Sequence, residues 1–118
     1  LGTLHKDNPA GLGRIIRDAA GCFQAIVEQK DATPLQREVR EVNMSTYVFD
    51  AARLVEALDQ LTNDNAQQEY YLTDCPALLR KAGHLVEALP VLEPCEALSV
   101  NTPAELAIVE TELRRMGH

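Results

Sequence analysis

The sequence predicts an α/β domain, and three observations carry that prediction. Runs rich in β-branched and aromatic residues alternate with stretches whose apolar residues recur at helical spacing. Capping residues stand at the starts of the helical stretches. The 118 residues, 46% apolar and 25% charged, have the composition of an ordinary folded domain, so a single core is expected and disorder is not. The length is nevertheless short for an α/β fold of five or more strands with covering helices, so the chain is either a compact small domain or a piece of a larger one.

The opening LGTLHKDNPAGLG is crowded with turn formers and begins abruptly, as though cut from a preceding strand. GRIIR at 13–17 and CFQAIVE at 22–28 are β-rich, and Gly21 between them can take the positive φ of a tight turn, so 13–28 is expected to be a β-hairpin. This hairpin is antiparallel within an otherwise mixed sheet covered by helices. The charged stretch 28–41 is interrupted by Pro34 and reads as a solvent-facing connection with one helical turn after Thr33. VNMSTYVFD at 42–50 reads as a strand, closed by Asp50 as cap of the next helix. In 51–62, Leu54, Val55, Leu58 and Leu61 form one apolar helical face. A second helix is expected over 74–81, with Pro76 in its first turn, Leu78, Leu79 and Ala82 facing inward and Gly83 at its end. HLVEALPVL at 84–92 reads as a largely buried strand. The final helix opens on Thr102, Pro103 and Glu105, a capping box with proline at the first helical position, and its apolar face is Leu106, Val109, Leu113 and Met116.

Charge and cysteine content exclude some classes of function. The net charge is −7 and the basic residues are scattered, which argues against a nucleic-acid-binding face. The longest apolar runs fall well short of the roughly 20 residues of a membrane span, and a cytoplasmic protein is expected. Cys22, Cys75 and Cys95 are widely and irregularly spaced, so they are expected to be buried or half-buried free thiols in a reducing compartment and not zinc ligands.

Residue pattern alone leaves the chemistry open. GLGR lacks the spacing of a dinucleotide fingerprint and precedes a strand. Glu28 at a strand end is most simply a solvated carboxylate, Asn101 a turn residue before the Thr102 cap, and Tyr70 and Tyr71 a packing pair on a strand. His5, His84 and His118 are isolated from one another and from partners that would make a general base.

Taken together, GLGRIIRD, AIVEQKDAT, EVN, LTNDNAQQEYYLTD and SVNTPAEL occur in the order and at the separations of the N-acetylglucosamine-1-phosphate uridylyltransferases, and the chain resembles that family along essentially its whole length. The resemblance implies a partial Rossmann-like, nucleotide-diphospho-sugar transferase fold. In it, residues 1–118 would be the C-terminal, sugar-binding half of a nucleotidyltransferase domain, of the kind found in bifunctional uridylyltransferase/acetyltransferases. It implies a reaction in which N-acetylglucosamine 1-phosphate attacks UTP with magnesium present, giving UDP-N-acetylglucosamine and pyrophosphate. Carried over motif by motif, Gly13 would let the backbone approach the sugar nucleotide. Glu28 would accept hydrogen bonds from sugar hydroxyls, and Asn43 would offer the sugar both donor and acceptor. Tyr71 and Thr73 would complete the wall of the pocket, and Asn101 would give magnesium a hard oxygen ligand.

The departures from the family pattern are local. Asn43 is followed by Met44 and Ser45 where the family has Thr-Gly, and Ser99 stands where a glycine precedes the VN pair. The family's Gly-rich segment with its triphosphate-neutralising arginine and lysine is not among these residues, so the chain alone is expected to be inactive. A non-catalytic sugar-nucleotide-binding or assembly module, or a transferase for another sugar phosphate, are the competing expectations, and an open sheet edge makes self-association an expectation as well.

Overall fold

The computed structural model describes residues 1–98, 100 and 102–117. Four strands, β1 (Gly2–His5), β2 (Arg14–Arg17), β3 (Phe23–Val27) and β4 (Glu41–Thr46), form one sheet in the order β1-β4-β2-β3. The helices are α1 (Pro34–Arg37), α2 (Ala51–Leu58), α3 (Cys75–Lys81) and α4 (Pro103–Arg115), with short 3₁₀ turns at Leu72–Asp74 and Pro94–Ala97. The α/β class expected from the sequence is present. Among the described residues all three strand ladders are antiparallel, and parallel pairing is confined to one bridge between Gly2 and Leu89.

The hairpin forms where the sequence places it. Gly21 takes φ +82° and donates to the Asp18 carbonyl, while the Asp18 carboxylate accepts from the amides of Ala20 and Cys22. Glycine is favoured there because residues with a Cβ are strained at this positive φ, although a Cβ would meet open space. Helix starts also follow the sequence. Thr33 and Gln36 make a reciprocal capping box on α1, Asp50 caps α2 through the Arg53 amide, and Thr102 caps α4 through the Glu105 amide. α3 ends in a double closure, the amides of Gly83 and His84 bonding to the carbonyls of Arg80 and Leu79, with Gly83 at φ +90°.

One buried cluster joins Ile15, Phe23, Ile26 and Ala88, and a second joins Ala57, Cys75 and Leu79. Val86 packs on both. Each of the large aliphatic and aromatic side chains among them contributes roughly 2 kcal/mol by leaving water. A polar clamp fastens the sheet to the 84–92 segment. Arg17 donates to both oxygens of Glu41 at 2.7 Å and to the Ala88 carbonyl at 2.7 Å, and Thr3 donates to Glu41 at 2.6 Å. Burial alone would raise the Glu41 pKa, but the hydrogen bonds from Arg17 and Thr3 and the Arg17 charge outweigh it and hold the carboxyl below its ordinary value.

Several expectations are corrected. The 84–92 segment is not a buried strand: it runs beside β1 with a single bridge, and of its residues only Ala88 is buried, Leu85 and Val91 being 86% and 66% exposed. Its backbone meets the sheet through Leu89 and Leu92 near Leu1 and Thr3 and through the Ala88 carbonyl at Arg17, and Leu85, Leu89 and Val91 have no layer to enter. β4 is shorter than 42–50, its ladder with β1 ending at the Gly2–Thr46 pair, and Met44 and Ser45 form a bulge between that pair and Thr3–Asn43, with Ser45 at φ +55°. On α2 the buried residue is Ala57, while Val55 and Leu58 are exposed. On α3, Leu79 is buried and Leu78 packs against its cluster as expected, whereas Ala82 is exposed and Cys75 and Pro76 are buried as well. No residue of α4 is buried among those described. Its Leu106, Leu113 and Met116 are exposed, although its capping was legible in the sequence. The three cysteines are free as expected, but Cys22, at the hairpin turn, is exposed.

Candidate functional site

Four of the residues nominated from the sequence meet at one end of the sheet. Gly13 leads into β2, and a Cβ built there would lie 3.0 Å from Ile26 Cγ2, 3.4 Å from Glu28 Oε1 and 3.6 Å from Asn43 Cβ. The Gly13 carbonyl accepts from the Asn43 amide at 2.9 Å, which joins the start of β2 to β4. Glu28 follows directly on β3, and its Oε1 accepts from the Thr73 hydroxyl at 3.0 Å. Thr73 is delivered by the 3₁₀ turn at Leu72–Asp74 that precedes α3. Thus Gly13, Glu28, Asn43 and Thr73, spread over more than half of the sequence, form one contiguous patch.

Asn43 is 6% exposed, and its amide is already engaged. Its Nδ2 donates to the Tyr47 hydroxyl at 2.7 Å and its Oδ1 accepts from the Ser45 amide at 3.3 Å. The side chain therefore stitches the β4 bulge together and keeps one further hydrogen and one lone pair for a ligand. Burial raises the Tyr47 pKa, opposed by hydrogen bonds from Asn43 and Ser45 and reinforced by the charge of Glu28.

Tyr71 lies next to this patch, not within its hydrogen bonds. It is half-buried in a loop, and Tyr70 beside it is 69% exposed, so the tyrosines are not a packing pair on a strand. Together with Ile26, Val27, Glu28, Asp31, Asp64, Asn65 and Asp74, Tyr71 lines a shallow cleft of about 220 Å³. The Tyr71 hydroxyl donates to Asp31 Oδ2 at 3.2 Å and accepts from Gln67 Nε2 at 2.8 Å. Burial and the neighbouring Asp31 raise its pKa against the Gln67 bond.

The cleft is acidic. Burial raises the Asp74 pKa, and the charges of Asp31 and Glu28 add to the shift. Burial, then the Asp74 charge, push the Cys75 thiol up. Carboxylates of this kind accept hydrogen bonds from hydroxyls and repel phosphate, so the cleft suits the neutral, hydroxyl-rich part of a ligand. Asp31, Asn65, Gln67 and Asp74 were not singled out from the sequence, although all four lie inside the KDAT and NAQQEYYLTD motifs.

Asn101 and Ser99 lie outside the described residues. Among the described residues no group of three or more His, Cys, Asp or Glu side chains is arranged to hold a metal ion. No described helix is long and apolar enough to cross a membrane.

Fold and site together define an α/β lobe with an acidic cleft between the end of β3, the loop after it and the turn before α3, beside the patch where Gly13 and Asn43 meet Glu28. The chain is 49% identical over 113 residues to the bifunctional protein GlmU of Streptococcus suis, 47% over 113 residues to that of Corynebacterium jeikeium and 48% over 111 residues to that of Clavibacter sepedonicus. These matches cover 94–96% of this chain. It is therefore a relative of the bifunctional GlmU proteins over the matched segment, in agreement with the resemblance read from the motifs. The chain spans about a quarter of the length of these relatives, 22–25% in each. No protein-family model matches it.

Proposed function

We propose that the chain is the sugar-binding half of a nucleotidyltransferase domain, spanning 1–118, whose parent makes UDP-N-acetylglucosamine from UTP and N-acetylglucosamine 1-phosphate with release of pyrophosphate. The observation that carries the proposal is the convergence of Gly13, Glu28, Asn43 and Thr73, which separate motifs nominated for one ligand. In this role Gly13 keeps the floor of the site low, since a Cβ would stand against both Glu28 and Asn43. Glu28, oriented by Thr73, accepts from sugar hydroxyls, and Asn43, oriented by Tyr47 and Ser45, contributes a donor and an acceptor. Tyr71 borders the same ligand from the facing loop.

Magnesium belongs to the same proposal. Asn101 would give it one hard oxygen, and the cation ordinarily fills its other positions with waters, carboxylates and substrate phosphates. The acidic cleft is where the sugar ring would rest, so the phosphates and the ion would lie outside it. With no triphosphate-neutralising Gly-rich segment in the sequence, the chain by itself would bind without turning over. Self-association through the β3 edge, which pairs only with β2 among the described residues, completes the proposal.

A second reading, a non-catalytic binding or assembly module or a transferase for a different sugar phosphate, draws on Met44. This residue is part of the β4 bulge immediately after Asn43, where the family has threonine. The test is calorimetric titration of UDP-N-acetylglucosamine with magnesium into the chain and into Glu28→Gln, alongside a pyrophosphate-release assay. Binding that weakens with the substitution, without turnover, supports the proposal. Turnover contradicts the inactivity of the isolated chain, and no binding favours the second reading.

A further inference from the structure

Two loops flank the cleft, one at 28–33 and one at 63–71, and a short chain of side chains ties them together. Lys30 Nζ donates to Gln67 Oε1 at 2.5 Å, Gln67 Nε2 donates to the Tyr71 hydroxyl at 2.8 Å, and that hydroxyl donates to Asp31 Oδ2 at 3.2 Å. The other Asp31 oxygen accepts from the Ala66 amide at 2.8 Å. The second loop is also closed on itself: Asn65 donates to the Glu69 carbonyl and accepts from the amides of Gln67 and Glu69. It is thus a preformed unit fastened to the first loop largely through one carboxylate.

We propose that Asp31 is a positioning residue for the sugar pocket: by gripping the Ala66 amide and the Tyr71 hydroxyl it holds the 63–71 loop against the cleft and fixes which hydrogen-bonding role Tyr71 presents. A phenol hydroxyl has one hydrogen and two lone pairs. Here the hydrogen goes to Asp31 and one lone pair to Gln67, leaving a lone pair for a ligand. Tyr71 therefore faces the cleft as an acceptor, matched to a hydroxyl donor and unable to donate to a carbonyl or phosphate oxygen. This extends the pocket proposal above and rests on it for the identity of the ligand.

The test has two arms. Without ligand, amide hydrogen exchange is followed by NMR in the wild-type chain and in Asp31→Ala. The Ala66 amide is expected to exchange faster in the variant while Val42 in β4 is unchanged. An unchanged Ala66 rate overturns the latch whether or not the chain binds a sugar nucleotide. With ligand, UDP-N-acetylglucosamine is titrated into wild type, Asp31→Ala, Asp31→Asn, Tyr71→Phe and the Asp31→Ala/Tyr71→Phe pair. Asp31→Ala should weaken binding about fivefold, the loss of one hydrogen-bond equivalent. Asp31→Asn keeps an acceptor for Ala66 but turns an amide donor toward the Tyr71 hydroxyl, so it should weaken binding about as much as Asp31→Ala while still holding the loop. The double variant should be no weaker than Tyr71→Phe alone, because Asp31 acts through Tyr71. Full additivity, or an asparagine variant that binds as tightly as wild type, overturns the positioning role. Absence of binding by the wild-type chain instead overturns the sugar-pocket proposal and leaves the exchange arm to decide the latch.

Discussion

The Thr73 hydroxyl donates to Glu28 Oε1 at 3.0 Å, bonding the turn before α3 to the end of β3 across 45 positions of sequence. The bond orients a carboxylate at the mouth of the cleft and leaves its other oxygen for a ligand. Thr73→Val keeps the shape and removes the donor, so it should cost about 1 kcal/mol of stability. It should also weaken UDP-N-acetylglucosamine binding, measured by urea unfolding and by calorimetry respectively. Loss of stability with unchanged affinity would assign the bond a structural role only.

Gly13→Ala places a methyl 3.0 Å from Ile26 Cγ2 and 3.4 Å from Glu28 Oε1. Ile26 is buried and cannot yield freely, so the variant should lose about 1 kcal/mol by overpacking and should lose affinity more than stability. Thermal melting beside ligand titration checks both.

Ser45 holds φ +55° in the β4 bulge, at the position where the family carries glycine. A left-handed backbone costs a residue with a Cβ about 1 kcal/mol, and glycine is largely free of that cost. Ser45→Gly should therefore raise the melting temperature, and a lower one would show that the Ser45 hydrogen bond to Tyr47 outweighs the backbone cost.

Two carboxyl groups should shape the acid limb of stability in opposite senses. Glu41 is held below its ordinary pKa of 4.5 in the folded chain, so its contribution is present above that value and is lost as pH falls through the folded pKa. Asp74 is held above its ordinary 3.8, so its charging disfavours the fold as pH rises through the raised value. Arg17→Met, which strands the buried Glu41 charge, should destabilise by about 3 kcal/mol at neutral pH and flatten the acid limb. Asp74→Asn should stabilise at neutral pH and make no difference well below the ordinary Asp pKa. Unfolding free energies measured across the acid range test both signs.

Local signals in the sequence carried the elements that local chemistry determines. Gly21 marked the hairpin, Thr33, Asp50 and Thr102 marked helix starts, and Pro76 and Gly83 bracketed α3. The segment 84–92 was misjudged because apolar content does not reveal whether a strand has a ladder partner or a covering layer. Its actual attachment is through Leu89 and Leu92 to residues more than 80 positions away. The apolar face of α2 is half realised: Leu54 and Leu61 pack against the core and Ala57 enters it, while Val55 and Leu58 stay exposed. Gly13, Glu28, Asn43 and Thr73 came from the family resemblance and could not come from spacing, because the contacts that unite them are tertiary. Asp31 and Gln67 carry no local signal within their motifs, because their partners, Ala66 and Tyr71, are brought to them by the meeting of the two loops.

Centrally, the patch of Gly13, Glu28, Asn43 and Thr73, with the adjoining cleft that Glu28 and Tyr71 line, is proposed to receive the sugar of a nucleotide sugar. Amide chemical shifts recorded by NMR while UDP-N-acetylglucosamine is added test it most directly. Shifts concentrated at Gly13, Asn43, Tyr71 and Thr73, and absent from α4, are the predicted result. Shifts concentrated elsewhere, or none at any of these residues at saturating ligand, would contradict it.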